Sequence, residues 1–359
     1  MSFAFLRTVS FRNLIDTETD LRSKDIFLVG ENGQGKSNFL EALYFCSYAS
    51  SFRGVRDRDI IRTGERDCLA SLSFENSLHS KISVSYGEGK KTINVDGKRL
   101  DDRKELLSVA PSVVFCHEDM EFIAGSPERR RWFFDQTGSL WDPLYLEDLR
   151  RYRYVLKSRN AVLKSGRNKD DSTLDALDIQ LARYGLELTK KRSKIAEEFS
   201  LVFEPLYREI SGIAGIGIKY RPAWKKESPD EIVELLSEKR EADFSLGVSL
   251  SGPHRDRYIF TREDIEFSGK ASTGQRRLLA LLLRIAQAIT FTGKTGKPPV
   301  LLLDDVLLEL DGEKRRKFIS VMPEYEQAFY TFLPVEPYEM YKKPDTIVYK
   351  MEGGQVKRA

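Results

Sequence analysis

Cysteine and histidine are scarce in this chain, with three of each among 359 residues. Cys46, Cys68 and Cys116 are too few, and odd in number, for a disulfide framework, so a reducing, cytoplasmic setting is expected. His79, His117 and His254 do not join them at metal-binding spacing, which excludes zinc-finger and zinc-ribbon designs. Long apolar runs are missing as well. The N-terminus meets charge at Arg7, without the apolar core of a signal peptide, and no stretch approaches the roughly 18 apolar residues of a membrane span. No membrane partner is therefore expected. Net charge is only +3, so any nucleic-acid surface must come from local clustering rather than from a whole-molecule field.

What the chain has is a hydrophobic fraction of 41% and length enough for two domains. Residues 3–11 alternate as a half-buried strand does, and Asp25–Val29, Ser112–Cys116 and Val300–Leu303 are short apolar runs with the look of buried strands. Residues 68–98 read as antiparallel strands around a turn at Gly87–Gly89. From Ser126-Pro127-Glu128, a serine N-cap with proline at the first helical position, helical periodicity runs to about Ser211. In its second half Leu174, Leu177, Leu181, Tyr184, Leu188, Ile195, Phe199 and Val202 recur at threes and fours, Arg192 interrupts the seam, and Pro205 is predicted to end or kink the helix. Residues 212–242 read as connecting structure with one helix near Pro229–Glu238. Phe244–Leu250 and Arg257–Phe260 read as strands, and Thr346–Val356 as strand, turn, strand. The pattern predicts an α/β head of mixed sheets and helices built from both chain ends (1–116 and 244–359), with a mainly helical domain inserted at 117–243.

Gly30-Glu31-Asn32-Gly33-Gln34-Gly35-Lys36-Ser37 fits the phosphate-binding loop in full, between a strand and the helix expected from Asn38. Glycines let main-chain N–H groups cradle phosphate oxygens, Lys36 places a charge at the β- and γ-phosphates, Ser37 offers a hydroxyl to Mg²⁺, and the helix N-terminus favours the anion. The second half of such a site is Val300-Leu301-Leu302-Leu303-Asp304-Asp305, a buried strand with two acids at its carboxyl end. Asp304 is expected to hold Mg²⁺ and Asp305 to orient or deprotonate the attacking water. ATP and Mg²⁺ are the cofactors these residues imply.

Ser272-Thr273-Gly274-Gln275 opens an apolar helix shortly before the acidic strand. This arrangement resembles the signature motif of ABC-type ATPases, in which Ser272, Gly274 and Gln275 would reach the nucleotide of a second subunit. Glu309-Leu310-Asp311 resembles the D-loop that crosses the same interface. In that class the acid at Asp305 is usually glutamate, whose longer reach suggests faster hydrolysis than here. A switch histidine usually follows the acidic strand, and Thr331 is the candidate replacement.

With these pieces placed, the chain resembles the RecF family over nearly its whole length. Phe11-Arg12-Asn13, Leu40-Glu41-Ala42 and Ser51-Phe52-Arg53 are similar to early family motifs, and the resemblance brings Arg12 toward the phosphates. Gly125-Ser126-Pro127-Glu128-Arg129-Arg130-Arg131-Trp132-Phe133-Phe134-Asp135 and Gly252-Pro253-His254-Arg255-Asp256 are the most diagnostic stretches. Departures include Phe134 for an aliphatic residue, His117 for proline, Arg257 for a second aspartate and Leu308 for serine. The resemblance implies an ABC-type head that dimerises with ATP on DNA, hydrolyses ATP slowly and acts in recombinational gap repair, replication restart and SOS induction. It also implies partnership with RecR in loading RecA onto gaps covered by single-strand-binding protein. The main alternative is the ATPase subunit of a membrane transporter, which shares the loop, the signature and the acidic strand.

Arg150, Arg151, Arg153, Lys157, Arg159, Lys164, Arg167 and Lys169 fall in one stretch with no acid among them, and Tyr152 and Tyr154 are interleaved. On a helix these form a basic face suited to DNA phosphates, with little base readout. Arg150, Arg151, Arg153, Lys157 and Arg159 are the candidate contacts to gapped duplex.

Overall fold

The computed structural model describes residues 2–359 except 76, 166–170, 308, 309 and 311. Its strands are β1 (Ser2–Val9), β2 (Thr17–Asp20), β3 (Asp25–Val29), β4 (Asp67–Glu75), β5 (Lys81–Gly87), β6 (Lys90–Val95), β7 (Lys98–Arg99), β8 (Ser112–Phe115), β9 (Ile216–Arg221), β10 (Arg257–Arg262), β11 (Ile265–Glu266), β12 (Val300–Leu303), β13 (Ala328–Phe332), β14 (Ile347–Glu352) and β15 (Gln355–Arg358). The helices are α1 (Lys36–Tyr48), α2 (Leu106–Val109), α3 (Glu121–Ala124), α4 (Pro127–Trp141), α5 (Pro143–Lys164), α6 (Asp171–Ser211), α7 (Pro229–Glu238), α8 (Arg240–Leu246), α9 (Thr273–Thr295) and α10 (Gly312–Ser320).

Contacts divide the chain into two units, Met1–Asp119 with Gln287–Ala359, and Met120–Ala286. The first unit holds two six-stranded sheets. One is antiparallel, in the order β2-β1-β4-β5-β6-β7; the other runs β15-β14-β3-β13-β12-β8 and is parallel from β14 to β8. Parallel strands are covered on both faces, and β3, β8 and β12 are accordingly buried at every position. Buried Gln327 satisfies its amide in full: its Oε1 accepts from Phe3 N at 2.5 Å, and its Nε2 donates to the carbonyls of Phe3, Leu21 and Ser23. The three cysteines are buried and form no disulfide, and burial pushes the Cys68 thiol up to about 11.

The second unit packs α5 along α6, with the sheet β11-β10-β9 against the same long helix. Residues 244–286 group here with the helical segment, so the return boundary lies at 286 and not at the expected 243. The cause is β10, which pairs with β9, a strand the sequence reading took for connecting structure. Phe244–Leu250 is also not a strand. Residues 240–246 are helical, and Gly247 ends that helix in the left-handed conformation at φ 65°. Pro205 does not end α6, which continues to Ser211. The carbonyl that proline leaves unpaired belongs to Leu201, whose 77% exposure opens that turn to water. Among the described helices α9 has the length and apolar content of a membrane span, and most of it is buried inside the protein.

Candidate functional site

In the parallel sheet, β13 lies between β3 and β12, and all three point the same way. Their carboxyl ends therefore open on one edge, where α/β sheets bind ligands. The loop after β3 and the acids after β12 are two strand spacings apart, roughly 10 Å.

The loop's glycines have separate reasons. A Cβ on Gly30 would lie 2.5 Å from the Met351 carbonyl. Gly33 and Gly35 have φ of 80° and 106°, where side chains are strained. Gly35 caps α1 without a side-chain acceptor, leaving the first-turn amides open to an anion. Glu31, Asn32 and Gly33 are exposed. Lys36 Nζ donates to the carbonyls of Gly30 at 2.8 Å and Glu31 at 3.1 Å, folded back across its own loop. Asn13 braces the loop from outside: its Nδ2 donates to Gly33 O at 3.1 Å and its Oδ1 accepts from Asn38 Nδ2 at 2.7 Å. The β14–β15 turn closes the other flank, with Gly354 N–H on Gln34 O at 3.1 Å and Gly353 N–H on Gln34 Oε1 at 2.5 Å.

Ser37 Oγ donates to Asp304 Oδ1 at 2.7 Å, joining the loop to the acidic strand. Burial, aided by neighbouring Asp305 and opposed by the Ser37 hydrogen bond, pushes the Asp304 carboxyl up to about 6. Asp305 has a left-handed backbone, φ 53°. Thr331, on the intervening β13, holds it there: its hydroxyl accepts from Asp305 N–H at 2.7 Å and donates to Asp305 Oδ1 at 2.8 Å. Among the described residues no group of three or more His, Cys, Asp or Glu could hold a metal. Mg²⁺ in nucleotide sites needs only one or two protein oxygens beside the phosphates, and the Ser37–Asp304 pair supplies that hard-oxygen set.

Glu41 is a centre that the sequence reading quoted without a role. Fully buried on α1, it takes Arg12 in a fork, with Nε and Nη2 at 2.9 and 3.0 Å, and also accepts from Ser51 Oγ. Arg53 lies 3.6 Å from Glu41 and donates to Asn38 Oδ1 at 2.9 Å. Arg12 additionally gives Nη1 to Asp59 O at 2.5 Å. Three short motifs near residues 12, 41 and 52 thus form one network behind the loop. The available signal was a glutamate five positions past the P-loop lysine, set among Phe39, Leu40, Ala42 and Leu43.

In the second unit Ser272 caps α9. Gln275 N–H donates to Ser272 Oγ at 3.3 Å, and Ser272 N–H donates to Gln275 Oε1 at 2.8 Å. Ser272, Thr273 and Gly274 are exposed, with open space around Gly274. Glu309 and Asp311, the D-loop candidates, lie outside the described residues.

On α5, Arg150, Arg151, Arg153 and Lys157 are exposed. Acids lie beside two of them: Glu147, one turn earlier on α5, is 3.9 Å from Arg151, and Asp135 of α4 is 3.4 Å from Arg153. Arg159 corrects the sequence reading. It is fully buried, bonding Asp178 at 2.5 Å, Asp243 at 2.6 Å and Ser249 Oγ at 2.8 Å, so it cannot meet a phosphate. Arg167 and Lys169 lie outside the described residues. Arg192, the break in the α6 seam, binds both oxygens of Asp135 at 3.0 and 2.9 Å and Asp256 Oδ2 at 2.8 Å. The last residues of the two diagnostic stretches therefore meet on one buried guanidinium.

Residues 4–353 match the family described as the RecF/RecN/SMC N terminal domain. The chain is 42% identical over 351 residues to the DNA replication and repair protein RecF of Treponema pallidum (strain Nichols), covering 97% of this chain and 99% of that protein. It is 30% identical to the RecF of Gloeothece citriformis, covering 98% and 99%. A solved structure of the recombination mediator protein RecF with ATP, in the RecFOR pathway, superposes with a TM-score of 0.87 at 27% identity, covering 99% of this chain and 97% of that one. An Smc head domain from Pyrococcus furiosus shares the fold, with a TM-score of 0.56 at 17% identity over 99% of this chain and 95% of that one. An ABC-type ATPase head fold with this loop and acidic strand, matched to such relatives along its length, makes the chain a member of the RecF family of DNA replication and repair proteins.

Proposed function

We propose that this chain is an ATP-switched DNA-binding protein of recombinational gap repair, dimerising on DNA with ATP and releasing it on slow hydrolysis. The observation that carries the reading is the 2.7 Å bond between Ser37 and Asp304, which assembles loop and acidic strand into one centre. The loop amides and Lys36 would bind the phosphates, with Lys36 giving up the two carbonyls it now holds. Ser37 and Asp304 would hold Mg²⁺, whose charge would screen the phosphate oxygens as the bond to the leaving group breaks. Asp305, aimed by Thr331, would take the proton of the attacking water. Arg12, which fixes Glu41 behind the loop, would reach a phosphate by releasing Asp59 O or Glu41, as Lys36 releases its carbonyls.

Across a dimer, Ser272, Gly274 and Gln275 of one copy would meet the nucleotide in the other, with Asp311 at the same interface. Arg150, Arg151, Arg153 and Lys157 would contact DNA phosphates at a gap junction. The relatives' place in the RecFOR pathway supports RecR as partner, recombinase loading with SOS induction and replication restart as outcome, and the cytoplasm as location. Sedimentation of wild type and Ser272→Arg tests the dimer. ATP·Mg²⁺ should convert wild type, and not the variant, to a dimer; a variant that dimerises equally well would refute the role of Ser272.

A further inference from the structure

A second set of arginines in the unit Met120–Ala286 lies outside the basic stretch of α5. Arg257 on β10 is the direct cross-strand partner of Arg221 on β9, and both are exposed. Directly opposed residues of an antiparallel pair leave the same face with Cβ atoms about 5 Å apart, where like charges repel. Arg255 is exposed two residues earlier. From α4, Arg130 Nη1 donates to Tyr258 O at 3.1 Å and Arg131 Nη1 to Asp256 O at 2.8 Å, the residues on either side of Arg257.

What fixes Arg130 and Arg131 is neutral carbonyl oxygen, so their charge is oriented without being cancelled. Burial holds both guanidinium groups below their ordinary pKa, and the charge of Arg257 acts on Arg130 in the same direction. The nearest carboxylates do not neutralise the cluster. Asp135 and Asp256 are buried and share Arg192, Glu128 and Glu266 act on Arg131 and Arg130 only through space, and Asp264 bonds Lys219 at 2.9 Å and acts on Arg221 only through space. A like-charge pair on a strand face costs folding energy, and a bound polyanion removes that cost. A protein partner would want an apolar anchor among the charges. Here Tyr258, Ile259 and Phe260 are buried, so β10 itself offers no apolar anchor beside Arg257. Planar, fixed guanidinium groups suit phosphate oxygens.

We propose that Arg221 and Arg257, backed by Arg130, Arg131 and Arg255, form a binding surface for the phosphate backbone of duplex DNA. This rests on the DNA-binding reading above and names side chains that the basic stretch of α5 does not include. The test is fluorescence anisotropy of a labelled gapped duplex across a salt series, with Arg221→Gln/Arg257→Gln and the charge-preserving Arg221→Lys/Arg257→Lys as variants. The glutamine pair should bind about tenfold more weakly, with the slope of log K against log salt flattened by about two. The lysine pair should keep the wild-type slope. Thermal unfolding of the glutamine pair should stay level or rise, because a repulsion has gone. If the glutamine pair binds with wild-type affinity and slope, while Arg150→Gln/Lys157→Gln does not, this inference alone falls. If wild type itself binds no DNA at low salt under any nucleotide condition, the DNA-binding reading falls and takes the inference with it.

Discussion

A carboxylate with no access to water must be paired, and Glu41 shows how far one such residue reaches. It fixes Arg12, Ser51 and, at longer range, Arg53, and Arg53 in turn holds Asn38 on the first turn of the phosphate-binding helix. Glu41→Ala leaves those cations facing a hole and should cost about 3–5 kcal/mol, read by urea unfolding. An unchanged midpoint would mean that the network adds nothing. Gly354 is constrained by space: a Cβ there would stand 1.8 Å from the Asn13 carbonyl. Gly354→Ala should therefore displace the turn that braces Gln34 and weaken ATP binding at least tenfold, by titration calorimetry.

Asp304 carries a pH dependence at this same scale. Its carboxyl is raised from 3.8 to about 6, chiefly by burial. The folded state thus binds this proton more tightly than the unfolded chain does. Its contribution to ATP-free stability is full below about 3.8 and is lost as pH rises through about 6. Asp304→Asn should flatten stability across that window. Mg²⁺ competes for the same oxygen, so Mg²⁺-dependent nucleotide affinity in wild type should fall as pH drops below about 6. A flat affinity profile would remove Asp304 from the metal site.

At the scale of elements, what was legible in sequence was what lies contiguous along the chain. The loop from Gly30 to Ser37, the strand Val300–Leu303 with its acids, and the cap at Ser272 each carry their own signal within a few residues. The fates of Arg159 and Arg192 could not be read, because their partners sit at 178 and 243, and at 135 and 256. A run of basic residues with no acid among them predicts an exposed face. Helix packing brought acids to Arg159 from other elements. Arg192→Ala leaves two buried aspartates without their cation and should cost about 3–5 kcal/mol, with α4, α6 and the turn before β10 loosening together in hydrogen exchange. Thr331 is the element-scale link in the candidate site, since β13 carries it between loop and acids. Thr331→Val should slow hydrolysis about tenfold, a barrier change of about 1.4 kcal/mol, with ATP affinity kept and Thr331→Ser near wild type. Equal rates in Val and Ser variants would show that the hydroxyl does not aim Asp305.

At the scale of the whole molecule, the plan of a head drawn from both chain ends was readable, because the two halves of the nucleotide centre stand at residues 30–37 and 300–305. The return boundary was not. Ile216, Ile218 and Tyr220 do alternate with Gly217, Lys219 and Arg221 as a strand requires, but nothing in those six residues tells that their partner is Arg257–Arg262, some forty residues on. Tertiary pairing of that kind has no local trace.

The central claim is that ATP, through this centre and a second copy of the chain, controls the hold on DNA. Binding of a labelled gapped duplex by wild type and Ser272→Arg, with and without ATP·Mg²⁺, tests it most directly. The account predicts that ATP tightens binding in wild type alone, because the bulky charge blocks the dimer while sparing the loop. DNA binding that ignores ATP in wild type, or that tightens equally in Ser272→Arg, would contradict it.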